Sequence, residues 1–205
     1  KCADESTMVH IFCPTVDKDD TWTKLILPML DRKNIPYEKS TEFIEGKKNH
    51  LVDFMKQEQV IAEAEKEEQE AEEKEREKEK ASDTTTVIFH GIKFDKAEAP
   101  AFTKVENKKK KEKPKYIAPR HIIILDDLGD AMRDKSVAAL LKTNFHYKSK
   151  IILSAQFITD LQPAAIRQLE YVIMFQGIPI VKLEQIHEKI TVPMPFVQFK
   201  KYYDE

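Results

Sequence analysis

The chain has 205 residues, 34% of them charged, and a net charge of −2. That length allows one domain with a sizeable core and room for an insertion, and the near-neutral average carries no information about nucleic acid because acid and base are gathered in blocks. Two cysteines, Cys2 and Cys13, without a CxxC pattern, argue against a zinc site, exclude a disulfide framework and predict reduced thiols in an intracellular protein.

Met8–Cys13 (MVHIFC) is a short apolar run closed by Pro14 and predicts a buried strand. Asp20–Arg32 carries Trp22, Leu25, Ile26, Met29 and Leu30 at helical spacing, with Asp19 or Asp20 as cap. Pro28 inside that pattern predicts a kink or two short pieces. Ile35–Tyr37 reads as a short edge strand, and Glu45–Lys56 as a helix through Leu51, Val52 and Met55.

The composition then changes. Glu63–Lys80 holds ten Glu, four Lys and one Arg, with only Ala64 and Ala71 apolar. No a/d stripe is present, so a coiled coil fits poorly and a lone solvated helix fits better. Thr84–Phe89 is β-branched and reads as a strand. Lys104–Lys115 is basic, with Lys108, Lys109, Lys110, Lys111 and Lys113 nearly consecutive between irregular, proline-marked ends. These lysines are the candidate contacts for nucleic-acid phosphates, although such runs are more often solvated loops. Residues 57–119 together are expected to be an insertion within a single domain spanning 1–205.

After Pro119 the pattern becomes regular: strand His121–Leu125, helix Asp130–Tyr147 with Val137, Leu140, Leu141 and Phe145 inward, strand Ile151–Ala155, short helix Pro163–Leu169, strand Tyr171–Phe175. The tail from Val181 begins helically. Continuous apolar strands alternating with helices predict a parallel sheet covered on both faces. No apolar run approaches the ~20 residues that cross a bilayer, and no membrane partner is expected.

Ligands bind beyond the carboxyl ends of such strands. His121–Asp127 (HIIILDD) ends there in two carboxylates, which beside a hydrophobic core call for a cation or donors. Mg²⁺ with a nucleotide supplies that compensation; Asp126 would support the metal and Asp127 would polarise an attacking water. The same Asp-Asp-x-Gly stretch also suits a strand followed by a turn. Gln156, at the tip of the next strand, can sense a γ-phosphate. Arg167 is the candidate stabiliser of developing phosphate charge, with Arg120 and Arg133 as weaker competitors. A GxxxxGK[ST] loop is missing from these residues: the glycines stand at 46, 91, 129 and 177, and Gly46-Lys47 is followed by Lys48.

Met8–Trp22, His121–Asp130 (HIIILDDLGD) and Lys148–Phe175 resemble the DNA-packaging ATPases of large DNA viruses, virophages and Maverick/Polinton transposons, in the FtsK–HerA branch of P-loop ATPases. The resemblance covers both ends of the chain and not roughly Met55–Pro119. It implies an α/β, three-layer P-loop NTPase core of the ASCE/RecA-like kind, with a parallel sheet lacking its N-terminal strand and P-loop and with a charged helical insertion. It implies a Walker B pair at Asp126 and Asp127, a sensor at Gln156, and a phosphate loop upstream of Lys1. ATP and Mg²⁺ are the implied cofactors; double-stranded DNA, further copies in a ring and capsid proteins are the implied partners. The implied location is a virion or viral assembly site, otherwise host cytoplasm or nucleus. Where the family often has Asn-Arg-His, this chain has Asn144-Phe145-His146. The alternatives are a degenerate, non-catalytic copy and a DNA-binding or oligomerisation module.

Overall fold

A computed structural model describes residues 3–82, 87–89, 92–94 and 118–205. The strands are β1 (Met8–Phe12), β2 (Tyr37–Ser40), β3 (Ile44–Glu45), β4 (Lys48–Asn49), β5 (Val87–Phe89), β6 (Ile92–Phe94), β7 (His121–Asp126) and β8 (Ser149–Ser154). The α-helices are α1 (Leu27–Arg32), α2 (His50–Ser82), α3 (Lys135–Thr143), α4 (Pro163–Ile166), α5 (Ile180–Ile190) and α6 (Phe196–Asp204). The chain divides into two compact units, Lys1–Gln59 with Ala118–Glu205, and Val60–Ile117.

The first unit is α/β, built on a four-stranded parallel sheet in the order β2-β1-β7-β8. Successive side chains of a strand point to opposite faces, and here both faces are apolar. Phe12, Ile123 and Leu125 enter one core with Leu51 of α2, Leu140 and Leu141 of α3, and Ala165 and Ile166 of α4. Val9, Ile11 and Ile122 enter the other with Trp22, Leu27, Leu30 and Ile35. The sheet is therefore packed on both sides, a three-layer α/β arrangement.

Several elements differ in detail from the sequence expectation. The helical run over Asp20–Arg32 does come in two pieces, a π-helix, Thr21–Ile26, and α1 with Pro28 in its first turn; Ile26 is itself helical, so the turn type changes there without a break. The edge strand begins at Tyr37 rather than Ile35. The helix predicted from Glu45 starts at His50, because Gly46, at φ +59°, turns the chain between β3 and β4. The helix expected over Asp130–Tyr147 is shorter. Gly129–Arg133 is 3₁₀, and Asp134 then caps α3 by accepting from Ser136 N at 2.8 Å. Hydrogen bonds from the Ser136 side chain and backbone hold the Asp134 carboxyl below its ordinary pKa. Because α3 stops at Thr143, Phe145 leaves the helical stripe and is 85% exposed rather than inward.

Tyr171–Phe175 is not a strand. Tyr171, Ile173 and Phe175 are exposed, and the sheet ends at β8 without pairing to them. An apolar run signals burial preference but names no pairing partner. In the second unit, α2 continues through the Glu/Lys-rich run, with Lys66 3.9 Å from Glu70, and β5 pairs antiparallel with β6. Thr84–Thr86, the start of the expected strand, lie outside the described residues. Among the described residues no helix is long and apolar enough to cross a membrane.

Candidate functional site

Strands β1, β7 and β8 run parallel and end together, so their carboxyl tips form one edge. Phe12 pairs with Leu125, which puts Cys13 beside Asp126; Asp126 pairs with Ser154. Asp126 shares the face of Ile122 and Ile124, where the π-helix brings in Trp22, which is buried. The indole Nε1 of Trp22 donates to Asp126 Oδ2 at 3.2 Å. The Cys13 thiol donates to the same oxygen at 3.3 Å. Burial pushes the Cys13 thiol above its ordinary pKa, and the Asp126 carboxylate pushes the same way, so sulfur keeps the proton it donates.

Asp127 leaves the strand direction. Its φ of +50° lies in the left-handed region, which Asp tolerates better than most residues. Its N–H donates to Ser154 O at 3.1 Å, extending the β7–β8 pairing by one bond. Gln156 then reaches across from the neighbouring tip: Nε2 donates to Asp127 Oδ1 at 3.0 Å and Oδ2 at 3.1 Å. Both side chains are exposed.

The site thus presents two carboxylates satisfied only by neutral donors. Among the described residues neither Asp126 nor Asp127 forms an ion pair, and Oδ1 of Asp126 accepts no hydrogen bond. A divalent cation would fit that charge. Among the described residues no group of three or more His, Cys, Asp or Glu side chains forms a metal cage. Mg²⁺ does not require one, since it keeps several waters and takes one or two carboxylates together with substrate phosphates. Two cavities, of about 530 and 360 Å³, are lined by other residues, including Lys33 and Ile35 in the first and His10, His50 and Phe54 in the second. The edge chemistry, not cavity size, marks the site.

The arginines stand apart from it. Arg167 caps α4 and its Nε donates to Pro163 O at 3.3 Å. Arg133 lies 3.4 Å from Asp130 and 3.7 Å from Asp160. Arg120 precedes β7, at the amino end of the sheet, 3.6 Å from Glu58. The structure brings together Asp126, Asp127 and Gln156, and among the described residues it places no arginine on them. Lys108, Lys109, Lys110, Lys111 and Lys113 lie outside the described residues. Sequence reasoning missed Trp22 and Cys13 as partners of Asp126. Trp22 reads as a core residue of a helix, and the only signal for Cys13 was its place one step beyond a strand. Comparison with family models, curated proteins and solved structures finds no match.

Proposed function

We propose that this chain is part of an ATP-hydrolysing motor of the FtsK–HerA type that packages viral or virus-like double-stranded DNA into capsids. The observation that carries this reading is the bidentate contact of Gln156 with Asp127 at adjacent strand tips, beside a second carboxylate without a basic partner. Asp126 supports Mg²⁺ through water. Asp127 takes up the proton of the attacking water, and Gln156 orients Asp127 and reads the γ-phosphate. Mg²⁺, when bound with ATP, neutralises charge on the phosphates. Arg167 supplies positive charge only if the nucleotide or another copy in a homo-oligomeric ring comes to it. The charged insertion and its lysines are the candidate contact with DNA.

These 205 residues contain no GxxxxGK[ST] segment, so the reading concerns a longer chain that supplies one. The test is DNA-stimulated ATPase activity of a chain carrying such a segment upstream. Asp127→Asn is expected to lower the rate by about 10²–10⁴-fold, the usual contribution of a positioned proton acceptor. An unchanged rate would sink the assignment. Phe145, standing where the resemblance expects an arginine, favours one second reading, a non-catalytic copy that acts in oligomerisation or DNA binding. In that case restoring the segment gives no hydrolysis, while changing the five lysines to Gln abolishes salt-sensitive DNA binding.

A further inference from the structure

Asp126 is held in an unusual way. Both of its donors meet one oxygen, Oδ2, and both come from elements distant in sequence. Cys13 is fully buried and follows β1; Trp22 is buried on the π-helix. A π turn is rare because it widens the helix, and where it occurs it commonly re-aims a side chain at a functional position. Here it carries the indole N–H to the carboxylate. The other oxygen, Oδ1, has no hydrogen-bond partner among the described residues. A carboxylate that is free to rotate presents either oxygen to a cation. One whose Oδ2 is occupied by two donors presents the other, and loses less rotational freedom when the cation arrives.

We propose that Trp22 and Cys13 are positioning residues that hold Asp126 by Oδ2, so that Oδ1 takes a divalent cation, directly or through its water. This rests on the metal-supporting role given to Asp126 above. Neither residue touches the cation or the nucleotide. Their contribution is to the orientation and the acceptor strength of the carboxylate, and the loss of such a partner typically weakens a metal site by about 10–100-fold.

The 205-residue chain itself permits the test, with Mn²⁺ alone as the probe and electron paramagnetic resonance counting the free ion. Trp22→Phe keeps an aromatic ring in the core and removes the N–H. Cys13→Ala removes the S–H, and Cys13→Ser restores a donor of similar size. Wild type is expected to bind Mn²⁺ in the millimolar range or tighter, and Asp126→Ala to lose that binding. Trp22→Phe and Cys13→Ala are expected to bind about tenfold more weakly, and Cys13→Ser to bind close to wild type. Trp22 is the chain's one tryptophan, so its emission gives a second readout. The paramagnetic ion should quench it in wild type and leave it unchanged in Asp126→Ala. Circular dichroism confirms that each variant is folded. Equal Mn²⁺ affinity in wild type, Trp22→Phe and Cys13→Ala overturns the positioning role and leaves the metal role standing. Absence of Mn²⁺ binding by the wild-type chain overturns the metal role of Asp126, and the positioning role with it.

Discussion

At the scale of single residues, the two ends of β7 do opposite things with charge. The carboxyl end exposes carboxylates that neutral donors hold. The amino end carries a titratable row that runs from exposed Glu38 to buried Glu58. Glu38 of β2 meets His10 Nδ1 of β1 at 2.5 Å, and His10 Nε2 lies 3.1 Å from His121 Nδ1. His121 Nε2 lies 3.2 Å from Glu58 of α2 without the alignment of a hydrogen bond, and Arg120 also faces Glu58. Burial lowers the His121 pKa below its ordinary 6.5; Glu58 opposes this, while His10 and Arg120 add to it. The folded state therefore prefers neutral His121, and the unfolded chain takes the proton first. Stability from this group is complete above about pH 6.5 and declines as pH falls through that value towards the lower folded pKa. Thermal melts from pH 7.5 to 5.5 should show a falling midpoint, and His121→Phe should flatten that fall. An equal slope in the variant would assign the loss to other groups.

At the scale of elements, α3 shows how local capping and long-range packing agree. Asn49 of β4 donates to Asp134 and Ser136 at the start of the helix, while Leu140 is fully buried against the sheet. Leu140→Ala should cost about 2–5 kcal/mol in denaturant unfolding, the range for a buried Leu that leaves a cavity. Phe145→Ala, five residues on, should change stability by less than about 0.5 kcal/mol, because the ring is exposed. Periodicity alone put both residues on one stripe. The capped start and the early stop of the helix separated them.

The same contrast marks what was legible in the chain. The two interior strands, β1 and β7, announced themselves as continuous apolar runs, because parallel strands are buried on both faces. The meeting of Gln156 with Asp127 could be anticipated once each was placed at a tip of neighbouring parallel strands. The hairpin of β3 and β4 was hidden in two-residue strands around one glycine. The Trp22–Asp126 contact needed the register of β1 on β7 and a π turn, neither of which hydrophobic spacing encodes. Tyr171–Phe175 looked like a strand for the same reason as β8, but strand formation also requires a neighbour.

At the scale of the whole molecule, the first unit leaves off at Gln59 and resumes at Ala118. Those ends are close, since the Glu58 carboxylate lies within 3.2 Å of His121 and 3.6 Å of Arg120. Replacing residues 60–117 by a short Gly/Ser linker should keep the first unit folded. Its denaturation midpoint should shift little, because each doubling of a flexible connection costs only about 0.6 kcal/mol. Loss of cooperative unfolding in the linked protein would mean that the second unit is part of the same folding core.

Strand β8 closes the sheet on one side only. Among the described residues no strand pairs with its outer side, Ile152 is half exposed, and two residues past its end stands Gln156. An open ladder is a template for any extended chain of matching length. Whatever zips along it immobilises the peptide units that carry Gln156, and so stiffens the amide–carboxylate contact at Asp127. A strand pairing there would act on the strand tips through the backbone of β8 alone.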